Sequence, residues 1–239
     1  KNLLRYLWHH HPWHHHHQGF QRLDLDLSGR RALITGSTRG NGLAVAKALA
    51  MMGAEVIVNG RTDDGVERAM DAVLQVAPTG AIHGMAADIS DADGCDAVIF
   101  AFPKIDILFN NMAVQAPGDF FDLADQDWRY LFDANVMSGI RLTRYYLKDM
   151  LRFDNWGRVV FFSEEAAGLP AFLAKSAAKT TIGSNINVNS MLLGSNGDEI
   201  PEDHTSESQL GENQLGENQL GEAASLIRRI CFTGSDAPN

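Results

Sequence analysis

From Leu23 onward, short and wholly apolar runs alternate with longer segments whose apolar residues recur at helical spacing. Apolar runs of this kind are typical of buried parallel strands, because helices cover both faces of a parallel sheet. The predicted strands span residues 31–35, 55–59, 81–88, 105–111, 158–162 and 185–193, and the predicted helices span 42–53, 66–76, 91–102 and 125–151. Strict alternation predicts an α/β fold, a Rossmann-like doubly wound parallel sheet in a three-layer α/β/α arrangement.

Two compositionally biased segments flank this alternating region. The first twenty residues carry seven of the nine histidines, so residues 1–22 resemble an affinity tag. Such a tract can hold a metal ion adventitiously, but without accompanying Cys or carboxylate ligands it predicts no physiological metal site. Residues 195–239 contain the repeat QLGEN and many acids, and we expect a mobile acidic loop followed by a remnant C-terminal segment. The Rossmann domain is therefore predicted over residues 23–194.

Charge and composition narrow the choice of partners. Twenty Lys and Arg against thirty Asp and Glu give a net charge of -10, which argues against nucleic acid or an anionic membrane surface as a partner. The two cysteines, Cys95 and Cys231, have no metal-ligand spacing and are expected to be free thiols. The sequence contains no apolar run long enough to span a membrane and no signal-peptide core, so we expect a cytoplasmic protein.

The segment TGSTRGNG, from Thr35 to Gly42, follows the first predicted strand and opens the first predicted helix. At this position, glycines let the backbone approach a pyrophosphate, and the start of the helix supplies N–H groups and a positive dipole. The candidate cofactor-binding residues in this turn are Gly36, Ser37, Arg39, Gly40, Asn41 and Gly42. The alternative is that the glycines only form a tight strand-to-helix turn.

The spacing T-G-x-x-x-G-x-G resembles that of the classical short-chain dehydrogenases/reductases, and further motifs agree in chain order. AAD ends in Asp88, where the family has an acid near the adenine. NNMA begins at Asn110, which the resemblance implies to be a cofactor-binding residue. NVMSG supplies Asn135 inside the long helix, and Ser163 follows the fifth strand. The resemblance covers residues 23–194 and implies a nicotinamide cofactor together with a small carbonyl or alcohol substrate.

Two arginines bear on which cofactor would bind. An NAD-selective site normally has an acid at the end of the second strand, where it binds the ribose 2′-hydroxyl. Here that position offers Gly60 and Arg61, and the glycine turn carries Arg39. Because guanidinium groups form bidentate bonds with phosphate, we predict NADP(H) rather than NAD(H). The alternative is that both arginines are ordinary surface charges.

The resemblance also implies a catalytic tyrosine, a lysine four residues later, a serine and an asparagine. Ser163 and Asn135 match the last two, although a strand-end hydroxyl and a backbone-bonded helix residue are the simpler interpretations. In KSAAK, Lys175 stands where the tyrosine is expected, and Lys179 takes the lysine position, where the resemblance implies that it can still bind the nicotinamide ribose of the cofactor. Lys175 is a candidate substitute acid, because a neighbouring ammonium lowers the pKa of an amine.

The C-terminal part departs further from the family. Residues 180–184 leave room for barely one turn where the family has a helix, and a final strand is missing, so the sheet is predicted to be incomplete at its C-terminal edge. The long helix, 127–151, could support a homodimer. Three hypotheses stay open: an NADP(H)-dependent oxidoreductase with impaired activity, a non-catalytic NADP(H)-binding or interaction protein, and a non-functional fragment.

Overall fold

The computed structural model describes residues 26–111, 113–116, 118–153, 156–163, 168–192 and 227. The histidine-rich segment 1–22 lies outside these residues, and so does the predicted acidic segment 195–239 apart from Ile227. Ile227 is buried against the core. None of the helices in the described ranges combines the length and the apolar character needed to cross a lipid bilayer.

Six parallel strands form one sheet in the order β3-β2-β1-β4-β5-β6. The strands are β1 Arg31–Ile34, β2 Glu55–Gly60, β3 Ile82–Ala86, β4 Ile107–Asn110, β5 Trp156–Ser163 and β6 Asn185–Leu192. The helices are α1 Gly40–Met51, α2 Asp63–Leu74, α3 Ala92–Ala101, α4 Asp125–Phe132, α5 Ser138–Phe153 and α6 Gly168–Ala178. The predicted α/β fold with a parallel sheet is confirmed.

The sheet has an apolar core on each face. Successive residues of β1 point to opposite sides, so Ile34 packs in one cluster with α1 and α2 while Leu33 packs in the other. The second cluster includes Val98 from α3, Leu142 from α5 and Ala174 from α6. Because the central strands are covered on both faces, they must be apolar throughout, which is why their runs were recognisable in the sequence.

Strand β3 departs from the predicted burial. The apolar run 81–88 was expected to be fully buried, but His83 is exposed and the other residues of β3 are only half-buried. The reason is its position, because β3 pairs with β2 alone and forms an edge of the described sheet. An edge strand has no neighbour on one side and therefore retains contact with solvent.

The long predicted helix is present, but it is not regular. Residues Asp133–Met137 form a π-helical turn between α4 and α5. Such turns are rare and frequently lie at functional sites. This turn was not predicted from the sequence. It also did not predict helix α6, whereas the expected short connection to the sixth strand is present as a single 3₁₀ turn, Lys179–Thr181.

Helix α5 presents exposed apolar side chains. Tyr145, Leu151 and Phe153 are all exposed on it. Such side chains suit the homodimer predicted through 127–151, which stays a prediction.

Cys95, at the inner face of α3, is a free thiol buried in the second core cluster. Its Sγ donates to the Ile89 carbonyl oxygen at 3.3 Å. Burial raises the pKa of Cys95 from its ordinary value of 9.0 to about 11. The native protein therefore keeps this proton at a pH where the unfolded chain has already lost it.

We expect the free energy of unfolding to fall as the pH rises above about 9, since the unfolded state then binds fewer protons than the native state. Chemical denaturation of the protein and of Cys95→Val at a series of pH values between neutrality and pH 11 would test this. The substituted protein should lose less stability over that range. If the free energy of unfolding depended on pH identically in the two proteins, the raised pKa of Cys95 would be contradicted.

Candidate functional site

The turn between β1 and α1 is held in place by its own backbone and by β2. Gly36 and Gly40 have φ values of 58° and 55°, in the left-handed region that glycine adopts without strain. The Ser37 hydroxyl donates to the Ile34 carbonyl at 2.7 Å and accepts from the Asn59 amide at 3.0 Å. Ser37 is fully buried, so it shapes the turn. A contact between Ser37 and the cofactor stays a prediction.

Gly42 lies where the turn meets the start of α1 and the end of β4. A Cβ at this position would come within 2.5 Å of Asn111 Nδ2 and 2.7 Å of the Gly36 oxygen. Asn111 Nδ2 donates to the carbonyl oxygens of Thr35 and Gly36 at 3.3 and 3.2 Å. The glycine at this position therefore permits the close packing that holds the turn against β4.

A cavity of about 700 Å³ opens beside this turn, and we call it the glycine-turn cavity. Five of the predicted cofactor residues line it: Gly36, Arg39, Gly40, Asn41 and Arg61. The other residues around it are Thr38, Asn59, Gly60, Thr62, Gly65, Arg68, Ala87, Ile89, Asn111, Ala113, Val114 and Gln115. Its described lining thus contains arginines and no acidic side chain.

Arg68 was missed by sequence reasoning. It lies on α2, seven positions after Arg61, and it lines the same cavity as Arg39 and Arg61. The pattern of α2 alone marks Arg68 only as an exposed helix residue, since the face that it shares with the cavity depends on how α2 packs. All three arginines are exposed, so their guanidinium groups are accessible to a ligand.

Asp88 lies at the rim of the glycine-turn cavity. Its neighbours Ala87 and Ile89 line the cavity, whereas the exposed Asp88 side chain accepts from the Ser90 amide at 3.0 Å. The carboxylate therefore stabilises the turn after β3. A contact between Asp88 and a bound adenine stays a prediction.

A second cavity of about 560 Å³ adjoins the first, and we call it the aromatic cavity. The two share Ala113, Val114 and Gln115, in the segment that follows β4. The remaining lining residues are Asn110, Ala116, Trp128, Leu131, Asn135, Val136, Ser138, Gly139, Phe161, Phe162, Leu169, Pro170 and Leu173. Two predicted site residues, Asn110 and Asn135, thus lie on this cavity.

Asn135 lies in the π-helical turn and holds the segment shared by the two cavities. Its Oδ1 accepts from the Val114 amide at 2.6 Å, and its Nδ2 donates to the Val114 carbonyl at 2.8 Å. The same turn is fixed from the other side, because Arg141 pairs with Asp133 at 2.8 Å and donates to the Ser90 carbonyl at 3.2 Å. Asn135 is therefore a positioning residue at the junction of the cavities.

Asn110, at the end of β4, is buried and packs against α5. Its Nδ2 donates to Thr143 Oγ1 at 3.2 Å, while its buried Oδ1 has no hydrogen-bond partner among the described residues. It borders the aromatic cavity rather than the glycine-turn cavity, and its predicted contact with the cofactor stays a prediction.

Ser163 is the last residue of β5, at the carboxyl edge of the sheet. Two residues that precede it, Phe161 and Phe162, line the aromatic cavity. Its backbone position is therefore the one that the predicted catalytic role requires. That role stays a prediction.

Lys175 and Lys179 do not lie with the other predicted catalytic residues. Both are exposed, and neither lines either cavity, although Leu169, Pro170 and Leu173 of α6 line the aromatic cavity. Helix α6 connects the carboxyl end of β5 to the amino end of β6, so it runs antiparallel to the strands. At about 1.5 Å per residue, the two lysines lie about 10 to 16 Å beyond its start, toward the opposite edge of the sheet.

This placement does not support catalytic roles for the two lysines. The spacing of KSAAK matches the family motif, but Lys175 lies in the last turn of α6 and Lys179 follows the helix. None of the described residues that line the two cavities is a tyrosine or a lysine. The described part of the site therefore contains no side chain suited to general acid catalysis.

Comparisons with known proteins agree with the parallel α/β fold and identify relatives of this chain. The profile described as short chain dehydrogenase matches residues 30–195. The uncharacterized oxidoreductase YvaG of Bacillus subtilis (strain 168) is 36% identical over 187 residues, covering 72% of this chain and 70% of that protein. A second uncharacterized oxidoreductase of that strain, YvrD, is 38% identical over 189 residues, with the same coverage. The crystal structure of L-sorbose reductase from Gluconobacter frateurii, complexed with NADPH and L-sorbose, has a TM-score of 0.64, 28% identity and 70% coverage of both chains.

Gly42→Ala should destabilise the protein by about 1–3 kcal/mol, because the added methyl group overlaps Asn111 Nδ2 and the Gly36 oxygen. Thermal and chemical denaturation would measure the loss. Gly118→Ala is the matched control, since a Cβ there meets its nearest atom, Asp122 Cβ, at an ordinary 3.7 Å. Equal stability of the two variants would contradict the close packing described.

Lys175→Ala and Lys179→Ala should each leave the affinity for NADPH within about twofold of the parent protein, because exposed side chains away from a ligand have little effect. Calorimetric titration measures this directly. A tenfold loss in either variant would place that lysine at the cofactor and contradict its position outside both cavities.

Proposed function

The chain belongs to the short-chain dehydrogenase family of oxidoreductases, and from this premise we propose that it binds NADP(H) and interconverts a small carbonyl compound and its alcohol. The observation that carries the proposal is the lining of the glycine-turn cavity. There Arg39, Arg61 and Arg68 surround a space next to a glycine-rich helix start.

The charges of this cavity favour a cofactor with an additional phosphate. The protein carries a net charge of -10, yet the described residues that line the cavity include three arginines and no acid. Gly60 and Arg61 occupy the end of β2, where an acid would bind a ribose 2′-hydroxyl and repel a 2′-phosphate. The related L-sorbose reductase structure contains NADPH, which supports the same choice.

Each part of the site has a role in this proposal. Gly36, Gly40 and Asn41 would hold the pyrophosphate at the start of α1, where the positive end of the helix dipole favours an anion. The arginines would bind the 2′-phosphate through charge-assisted hydrogen bonds. The bound cofactor supplies the hydride, and Asn135 fixes the segment around Val114 that joins the two cavities.

We expect proton transfer to the substrate oxygen to limit the rate of this reaction. Reduction of a carbonyl develops negative charge on oxygen, and a positioned general acid typically contributes about 10²–10⁴-fold to the rate. Among the described residues that line the aromatic cavity, only amide, indole and hydroxyl groups are polar, and the Ser138 hydroxyl already donates to the Ala134 carbonyl. We therefore expect slow turnover, with water as the proton source.

This same observation favours a second function, NADP(H) binding without turnover. A cofactor-binding cavity beside a site without a general acid would allow the protein to bind the nucleotide and not react. The two functions differ in one measurement, the oxidation of NADPH by a panel of aldehydes and ketones. Slow oxidation that requires the carbonyl compound supports the oxidoreductase, and its absence with intact NADPH binding supports the second function.

Calorimetric titration should show that NADPH binds more tightly than NADH. Arg39→Ala, Arg61→Ala and Arg68→Ala should each lower NADPH affinity by about tenfold, because each removes a charge-assisted bond to phosphate. The same substitutions should leave NADH affinity almost unchanged. Arg129→Ala is the matched control, since this exposed arginine pairs with Asp125 on α4 and lines neither cavity.

Equal affinity of the parent protein for NADPH and NADH would contradict the cofactor assignment. Equal losses of affinity for NADPH and NADH would show that the arginines bind the pyrophosphate, which both cofactors contain, or that they stabilise the fold.

A further inference from the structure

The aromatic cavity differs in chemistry from the cavity that it adjoins. Most of its wall is apolar, and the side chains come from four separate elements. Trp128 and Leu131 lie on α4, Phe161 on β5, and Leu169 and Leu173 on α6, with Val136 contributed by the π-helical turn. Its volume of about 560 Å³ is within the range of small-molecule sites in proteins.

The polar groups on this wall are largely occupied by the protein itself. Both amide atoms of Asn135 are bonded to the backbone of Val114, and the Ser138 hydroxyl donates to the Ala134 carbonyl. Asn110 Nδ2 donates to Thr143, and Asn110 Oδ1 is buried. The wall therefore offers a ligand mainly apolar contacts.

The wall also lacks charge. None of the described residues that line the aromatic cavity is Asp, Glu, Lys, Arg or His, whereas three arginines line the adjoining glycine-turn cavity. An ionised carboxylate transferred from water into an apolar site without a partner loses several kcal/mol or more of solvation. A charged substrate would thus be rejected here.

Further aromatic side chains extend from the mouth of the cavity. The ring of Phe120 packs against Trp128 at 5.5 Å and against Phe121 at 5.6 Å between ring centroids. Phe120 and Phe121 are 71% and 94% exposed, so together with Trp128 they form an apolar surface that continues outward from the cavity. An apolar group too long for the cavity could lie along this surface.

From these features, and on the premise of the proposed function, we propose that the aromatic cavity selects uncharged carbonyl compounds and alcohols that carry an aryl or alkyl group. Carboxylate-bearing keto acids and hydroxy acids are excluded. Selection arises from burial of the apolar group against Trp128, Leu131 and Leu173. It also arises because none of the described lining residues is a cation that could compensate a carboxylate.

A matched pair of ligands tests this directly. 4-Phenylbutan-2-one and 2-oxo-4-phenylbutanoate share the phenylethyl ketone and differ only in a methyl group replaced by a carboxylate. Calorimetry and ligand-observed NMR on the NADPH-loaded full chain should show that the neutral ketone binds at least about tenfold more tightly. Equal affinity, tighter binding of the keto acid, or no binding of either compound would overturn the inference.

A charge placed at the rim should alter this selectivity. Leu169 lines the cavity and is 42% exposed, so Leu169→Arg can place a guanidinium at the rim without disturbing the core. The affinity for 2-oxo-4-phenylbutanoate should rise by about fivefold, the range of an exposed ion pair. Phe172→Arg is the matched control, because Phe172 lies on the same helix, is 63% exposed and does not line the cavity.

The control should leave both affinities unchanged. If both variants gained the same affinity for 2-oxo-4-phenylbutanoate, the gain would reflect the general effect of an added positive charge. That result would contradict binding of the ligand in the aromatic cavity. Failure of NADPH to bind the parent protein would contradict the proposed function. If the parent protein binds NADPH but does not prefer the neutral ketone over the keto acid, only the inference about the aromatic cavity is contradicted.

Discussion

The parallel alignment of six strands is the constraint on which the rest of this structure depends. Because all six strands run in the same direction, every connection from a strand to the next helix leaves at the carboxyl edge of the sheet. The turn after β1, the end of β2 and the segment after β4 are brought together there, although they are far apart in sequence. The same constraint sends the end of α6, with Lys175 and Lys179, toward the opposite edge.

Two asparagines join the parts of the site at this edge. Asn111 bonds the glycine turn to β4, and Asn135 bonds the π-helical turn to Val114. Through Arg141, that turn is also linked to the loop after β3. Because Val114 belongs to the segment that the two cavities share, a shift of the π-helical turn would alter both cavities.

Electrostatics divides the site into two halves. Arginines concentrate positive charge around the glycine-turn cavity in a protein whose net charge is -10, while the described wall of the adjoining cavity carries no charge. A site of this kind would bind an anionic nucleotide on one side and an uncharged group on the other. The two halves meet at the segment 113–115, which they share.

The sequence by itself determined the fold class, all six strands, the glycine turn and the positions of Arg39 and Arg61, because these features depend on local patterns and on the order of elements. It did not determine the partial exposure of β3, the π-helical turn at Asn135 or the part played by Arg68, since each depends on packing between distant segments. Spacing alone also suggested catalytic lysines in KSAAK, but a motif's spacing does not fix which end of a helix it occupies. Only the tertiary structure decided that point, because it shows that α6 begins at Gly168, with Lys175 in its last turn and Lys179 just after it.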